Sequence, residues 1–368
     1  MKIIIVQDRL RSGGTERQSV LLANAFAAAG QETTLLTFRP GGALTSTVSP
    51  AVTHRALQAF DLGLDWFAPG LFAFCARIQP NVILCMGRMA NGYAAGLQQQ
   101  NPRAAVIATM RTGKKLSWLF RRGLRLSRHV VANSREARDA LITQHAIPAD
   151  KISVIHNSLV FPALASAVGG MPPPRDESVR AQHGATPTTT VLLCVAMFRP
   201  EKNQRELIEI AAGLPAGADW QLWLAGDGPA RTACERLAAE KKLANRVKVL
   251  GFQRDPSALY AAADVAVHAS WSESLSNFLI EAQAHGLPAV AYTAQGIAEC
   301  FVPGRTGWAI AHDDRVAFRA ALTRLMDGSA AERTACATEA RAFARTTFDP
   351  THQVAAYLDL FQKLTSAP

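Results

Sequence analysis

Four charged residues in the second half of the chain have the types and spacing to grip an anionic ligand. Arg199 and Lys202 flank Pro200-Glu201, directly after the apolar run Val191–Met197 and before a helical pattern that begins at Asn203. The dipole at a helix N-terminus disfavours cations there unless an anion lies between them. A diphosphate would satisfy both, Arg199 as a planar fork and Lys202 as a point charge. Solvation, or a salt bridge to Glu201, is the alternative. The second pair is Glu273 and Glu281, within Ser270–Ala282. At about 100° per residue, positions eight apart do not share a helix face. The pattern becomes coherent if Glu273 lies in a loop and a helix starts near Ser276 or Asn277. The backbone around Ser274, Leu275, Ser276 and Asn277 then offers amides to phosphate oxygens. Glu281, about one turn inside, can accept hydrogen bonds from two vicinal hydroxyls. The alternative is a capping box of Ser270 with Glu273 and an exposed Glu281. Leu279, Ile280 and Ala282 around Glu281 argue instead for a part-buried ion that needs partners.

Three glycine turns could bring backbone close to the same ligand. Gly13 and Gly14 precede a helical pattern and expose a helix N-terminus, although they lack the full dinucleotide-binding pattern. Gly226 opens the sharp turn Gly226-Asp227-Gly228-Pro229 and reads as mainly structural. Phe252, after Gly251, is a place for a flat base to rest, and a packing glycine there explains the sequence equally well.

Short β-branched runs alternating with amphipathic stretches position these turns. In the first half the expected strands are Lys2–Val6, Thr33–Phe38, Val52–Ala56, Asn81–Met86, Ala105–Met110, His129–Asn133 and Ile152–His156, with helices such as Glu16–Ala29 and Arg135–His145 between them. Residues 161–190 carry Gly169, Gly170, Pro172, Pro173 and Pro174 and then a threonine run, the composition of a linker. The alternation then restarts: strand Thr190–Met197, helix Asn203–Ala212, strand Gln221–Ala225, helix Pro229–Lys241, strands Val247–Leu250 and Val265–Ala269, helix Asn277–His285, strand Ala289–Tyr292. A last helix is expected from about Asp349 to Leu364. This rhythm predicts an α/β protein with two doubly wound, Rossmann-like domains and a cleft between them, with ligands beyond the carboxyl ends of the strands.

Bulk properties narrow the class. The 368 residues are enough for two cores, and 49% hydrophobic with 18% charged residues is a globular composition. Six dispersed cysteines argue against a disulfide framework or zinc site and for a reducing, cytoplasmic compartment. The opening MKIIIV is too short an apolar run for a signal peptide, and no stretch is long and apolar enough to span a membrane. The net charge of +10 is uneven: residues 1–170 hold 19 Lys/Arg against 8 Asp/Glu, and the remainder 20 against 21. From Arg111 to Arg128 there are seven Lys/Arg and no acid, interleaved with Leu116, Trp118, Leu119, Phe120 and Leu124. That is a basic amphipathic pattern suited to an anionic membrane surface, on the inner face of the cytoplasmic membrane. The alternative is a domain helix whose arginines are simply solvated. No nucleic-acid-binding motif accompanies the run.

In its ordered set of motifs the chain resembles family 4 glycosyltransferases of the GT-B fold from end to end. The motifs are Gly13–Arg17, Arg199–Asn203, Gly226–Pro229, Gly251-Phe252, Glu273 with seven residues before Glu281, Glu281–Pro288, the Gly304–Gly307 turn and the final helix. The resemblance implies an acceptor domain over residues 1–165, completed by the C-terminal helix at about 349–368. A linker over 166–188 and a nucleotide-sugar donor domain over 189–348 follow. It implies that Arg199 and Lys202 hold the donor diphosphate and that Gly14 approaches it from the other domain. Glu281 would hold the ribose, and Glu273 with Ser274–Asn277 would line the sugar and phosphates. Family members retain anomeric configuration, with a donor phosphate oxygen taking the acceptor's proton, so no side-chain nucleophile, metal or cofactor is expected. The absence of an Asp-x-Asp motif agrees with this. The expected partners are a nucleotide-sugar, with UDP as carrier, and an acceptor hydroxyl on a cell-envelope glycan or lipid-linked acceptor such as lipopolysaccharide. The chain departs from the pattern at Met110-Arg111, where many relatives carry a His; Arg111 would substitute as the charge near sugar or acceptor. Gln295-Gly296 replaces a usual glycine pair. Other classes compatible with such a fold are a nucleotide-sugar epimerase and a non-catalytic nucleotide-sugar-binding module.

Overall fold

The computed structural model describes residues 1–159 and 175–366. The chain divides into two compact units, Met1–Ser158 with Pro350–Pro368, and Leu159–Asp349.

The first unit is built on β1 (Lys2–Gln7), β2 (Glu32–Thr37), β3 (Thr53–Ala56), β4 (Val82–Cys85), β5 (Ala105–Met110), β6 (His129–Ala132) and β7 (Ile152–Val154). These strands lie in the order β3-β2-β1-β4-β5-β6-β7, every pair parallel. Between them run α1 (Gly14–Ala28), α2 (Leu71–Ile78), α3 (Arg88–Gln100), α4 (Trp118–Leu126) and α5 (Arg135–His145). Helices cover both faces of the sheet, which is why β1 is apolar at consecutive positions. Ile3 and Ile5 join the layer containing Phe26, whereas Ile4 and Val6 join the layer containing Phe38 and Leu71. The C-terminal helix Pro350–Ser366 completes the first layer. Its Tyr357 and Phe361 rings meet Phe26 edge-on, centroids 6.0 and 5.4 Å away. Each buried aromatic of this kind contributes about 1.5–3 kcal/mol by area.

The second unit repeats the plan with β8 (Thr190–Val195), β9 (Trp220–Ala225), β10 (Val247–Gly251), β11 (Val265–His268), β12 (Ala289–Tyr292) and β13 (Gly307–Ile310). Their order is β10-β9-β8-β11-β12-β13, again parallel. The helices are α6 (Glu177–Gln182), α7 (Gln204–Ala212), α8 (Arg231–Glu240), α9 (Ser257–Ala262), α10 (Asn277–His285), α11 (Arg315–Met326) and α12 (Ala330–Phe348). Counted from its own first strand, the first unit reads 3-2-1-4-5-6-7 and the second 3-2-1-4-5-6, so connections leave in opposite directions from β1/β4 and from β8/β11. Those crossing points are where open parallel sheets accept ligands.

The expected linker, 166–188, falls partly outside the described residues. Its described end contains α6, in which Arg180 is fully buried and donates to the Ala262 carbonyl at 2.8 Å and the Asp264 carboxylate at 3.0 Å. That stretch is therefore a built part of the second unit. Strand β13 and the long helix α12 also go beyond the elements expected from the sequence.

Candidate active site

At the β8/β11 crossing, two turns are tied together. The first, Pro200–Lys202, is a single 3-10 turn closed by Asn203 in the left-handed region, φ 51°. Arg199 and Lys202 therefore precede α7 and do not sit in its first turn. The Glu201 carbonyl accepts from Ser270 Oγ at 2.9 Å and from the Trp271 amide at 3.1 Å, fixing this turn against the segment after β11. From the other side, Gly226 and Gly228 take φ of 144° and 147°. A Cβ on Gly226 would lie 2.0 Å from the Ala196 carbonyl oxygen. Gly226 is thus a packing glycine that holds the β8 turn in place.

The stitching places the Lys202 ammonium on Glu273 Oε1, and His268 Nε2 meets the same oxygen at 2.8 Å. Glu273 is nearly buried. Burial alone would raise its pKa, but Lys202 and the His268 hydrogen bond overcome it and hold the carboxyl at about 2. Lys202 has three N–H donors, so the ion pair leaves others for a second anion. Among the described residues no further hydrogen bond reaches Glu273, no partner contacts the Arg199 guanidinium, and buried His268 Nδ1 has none either.

The segment from Ser274 leads into α10. Ser276 caps the helix by accepting from the Leu279 amide at 3.4 Å, so Ser270 and Glu273 do not form a capping box. The Ser274 hydroxyl accepts from Gln295 Nε2 at 3.3 Å, and a Cβ on Gly296 would lie 2.0 Å from the Ser274 carbonyl oxygen. The Gln295-Gly296 departure thus braces the loop from below. Leu275 and Ser276 are buried, and Asn277 opens the helix. Glu281 follows one turn on, where the Tyr260 hydroxyl donates to its Oε2 at 2.6 Å. Tyr260 stacks on His285, centroids 4.9 Å apart, and burial pushes the His285 pKa down to about 4, keeping that ring neutral. Phe252 projects half-exposed just beyond Gly251.

The first unit is dressed differently at its crossing point. Asp8, just past β1, accepts from the Met89 and Ala90 amides at 3.1 and 2.8 Å, capping α3. Burial, only partly offset by those bonds, raises its pKa to about 6. A Cβ on Gly87 would lie 2.1 Å from its Oδ1, so the carboxylate fills this helix start. Gly13 is the N-cap of α1 and Gly14 its first residue. A Cβ on Gly13 would lie 2.4 Å from Glu16 Oε2, so that glycine makes room for a carboxylate. Arg111 is a strut: its guanidinium bonds Asn157 Oδ1 and, at 2.7 Å, the Tyr357 hydroxyl, joining the end of β5 to the C-terminal helix.

The structure therefore brings together Lys202, Glu273 and Ser274–Asn277, with Arg199 on the same turn. Sequence reasoning missed His268, Tyr260 and Asp8. His268 carried a faint signal, a lone imidazole ending an apolar strand five residues before Glu273. Tyr260 carried none. Among the described residues, no group of three or more His, Cys, Asp or Glu could hold a metal ion, and no helix is long and apolar enough to cross a membrane.

Two family models match the chain: Glycosyltransferase Family 4 over residues 12–159, and Glycosyl transferases group 1 over residues 175–343. Among characterised sequences, the lipopolysaccharide core biosynthesis glycosyltransferase LpsE of Rhizobium meliloti is 27% identical over 86% of this chain and 86% of its own. Among solved structures, Anabaena HepE in complex with UDP-glucose superposes with a TM-score of 0.80 at 22% identity, covering 99% of this chain and all of HepE. WaaG, a glycosyltransferase involved in lipopolysaccharide biosynthesis, gives 0.75 at 16% identity over the full length of both chains.

Proposed function

This chain belongs to family 4 of the glycosyltransferases, with the GT-B fold, and on that premise we propose that it moves a hexose or N-acetylhexosamine from a UDP-sugar to a hydroxyl of a lipid-linked or cell-envelope glycan. The observation that carries the reading is the β8/β11 crossing, where Arg199, Lys202 and Glu273 are gathered beside the start of α10. Arg199 and the remaining Lys202 donors take the diphosphate. Glu273 offers its second carboxylate oxygen to a sugar hydroxyl. Glu281, oriented by Tyr260, takes the ribose. UDP as carrier is supported by the HepE complex, and an envelope acceptor by the name of LpsE.

The transfer retains configuration and needs no metal. The acceptor oxygen bonds to the anomeric carbon on the face from which the diphosphate leaves. The breaking C–O bond gives its electron pair to the diphosphate, and a phosphate oxygen takes the acceptor's proton. Lys202 and Arg199 stabilise the charge that develops on the leaving group. Glu273 stays ionised at working pH because its pKa is held at about 2, so it acts as an acceptor of hydrogen bonds and never as an acid. The acceptor is delivered at an anionic bilayer that the basic stretch Arg111–Arg128 engages.

The test is slow release of nucleoside diphosphate from a panel of nucleotide-sugars without acceptor, paired with thermal shifts against UDP, GDP and ADP. UDP-sugars should give the largest release and UDP the largest shift. Glu281→Ala should weaken UDP binding about tenfold, the scale of a lost charged hydrogen bond. A Glu281→Ala protein that binds and hydrolyses like the parent overturns the ribose assignment, and a GDP or ADP preference overturns the carrier.

A further inference from the structure

The first unit carries a second feature that the donor site does not use. The loop after β3 exposes Phe60, Leu62, Leu64 and Trp66, with fractional exposures of 70%, 45%, 38% and 59%. The loop is nevertheless firmly built. Gln58, itself buried, donates to the Leu64 and Phe67 carbonyls at 2.8 and 2.7 Å. Its two acids are clamped: Arg39 bonds both Asp61 and Asp65, Arg9 reaches Asp61 at 3.1 Å, and Arg11 reaches Asp65 at 2.6 Å. The hydrogen bond from Arg39 holds the Asp61 carboxyl at about 2. The arginines tie both aspartates down at the base of the loop.

This loop adjoins the basic helix. The Tyr93 hydroxyl on α3 donates to the Trp66 carbonyl at 2.6 Å, and a Cβ on neighbouring Gly92 would lie 3.6 Å from Leu119 Cβ. Arg88, at the start of α3, bonds the Lys115 carbonyl at 2.7 Å. On α4, Phe120 and Leu124 face the core while Trp118 and Leu119 are exposed, and Arg122 lies over the Trp118 ring. A groove of about 370 Å³ runs between Trp118, Arg121, Arg122, Arg125 and Leu126.

We propose that loop 60–66 and the start of α4 act as one interfacial anchor, with Phe60, Leu62, Trp66 and Trp118 entering an anionic bilayer while Arg121, Arg122 and Arg125 hold lipid phosphates. The assignment rests on the membrane reading of the basic stretch and extends it to a segment with no basic residue of its own. Large apolar side chains held outward on an ordered loop mark a partner surface. Charge selects the partner here. Aromatics beside a basic, acid-free helix, with the nearby acids neutralised, complement lipid headgroups.

The experiment uses the full-length protein with vesicles of phosphatidylcholine containing about one third phosphatidylglycerol. Phe60→Ser with Trp66→Ser should weaken binding at least tenfold at every salt concentration, since two apolar anchors are lost. Charge reversal at Arg121, Arg122 and Arg125 should weaken it and abolish its salt dependence. Acceptor-free donor hydrolysis should be unchanged in the loop variant, which separates this anchor from the donor-site reading. Brominated lipids should quench the parent's tryptophan fluorescence, and the conservative Trp66→Phe should remove part of that quenching. Unchanged quenching in Trp66→Phe overturns the loop's role even if the helix variant fails to bind. A parent that ignores vesicles but forms a dimer broken by the loop variant makes this surface a protein interface and overturns the anchor altogether.

Discussion

The two units share the strand order 3-2-1-4-5-6, to which the first adds β7 at one edge, and differ in the charge that occupies its crossing point. In the first unit the start of α3 is filled from within: Asp8 caps it with its own carboxylate, and Gly87 leaves just enough room. In the second unit the carboxylate at the crossing, Glu273, is held away from the α10 amides by Lys202 and His268. A parallel sheet offers an anion site at this place by topology. Under the proposed donor site, the half that takes the phosphate is the one whose helix start the chain has not already filled with an anion.

The comparison can be broken most forcefully at Lys202. Lys202→Ala removes the cation proposed for the diphosphate and strands a buried carboxylate, so donor hydrolysis should fall about 10²–10³-fold, the scale of a lost transition-state charge contact. A drop below tenfold, read by nucleoside diphosphate release, would remove Lys202 from the machinery. Next in size, the two carboxylates should give pH slopes of opposite sign. Asp8 is raised to about 6 in the native protein, so the native state binds more protons between about pH 4 and 6 and stability falls as pH rises through that window. Glu273 is lowered to about 2, so its contribution is present above about pH 4.5 and lost as pH falls toward 2. At 1.36 kcal/mol per pKa unit, Asp8 carries roughly 3 kcal/mol across its window. Urea unfolding at pH 4, 5, 6 and 7 should show that slope, and Asp8→Asn should flatten it. A slope that persists in Asp8→Asn assigns the effect to other groups.

A smaller effect sharpens the donor side. The His268 Nε2 contact orients Glu273, and a glutamine amide can reach the same place whereas an asparagine amide falls short. His268→Gln should keep donor hydrolysis within about threefold, while His268→Asn should lose about tenfold, the scale of one hydrogen bond to a charged group. Equal losses in both would make the imidazole a packing residue. The smallest effect is expected at Phe252. It is half-exposed, so Phe252→Ala should change UDP affinity no more than about threefold, less than the 1–3 kcal/mol of a stacked base. A tenfold loss in calorimetry would mean that the base stacks there after all.

The site was legible where chemistry is written locally. Glu273 and Glu281 stood out because eight residues cannot keep two ions on one helix face, which put one in a loop and one in α10. Helix Asn277–His285 and strands Ala105–Met110 and Ala289–Tyr292 lie where their apolar pattern places them. The partners of those ions were hidden because tertiary packing supplies them. Tyr260 reaches Glu281 across 21 residues from a six-residue helix, and Arg111 meets Tyr357 across 246. The resemblance sets Arg111 near sugar or acceptor in place of a His, and no local pattern discloses its bond to Tyr357. Helix α12 escaped notice because its alanine-rich sequence has only three fully buried positions and no clear apolar stripe. Strand β13 escaped because four residues beginning at a glycine carry no alternation to read.

The chain leaves the first unit at Ser158 and returns to it only at Pro350, whereas the second unit is one continuous stretch. During synthesis, Phe26 must therefore wait for Tyr357 and Phe361 until almost the whole protein has emerged. The half that contains Lys202 and Glu273 is one stretch that ends at Asp349, immediately before the helix that carries Tyr357. A chain that ends at Asp349 would carry every residue of the second unit and a first unit still lacking the helix that closes one of its layers.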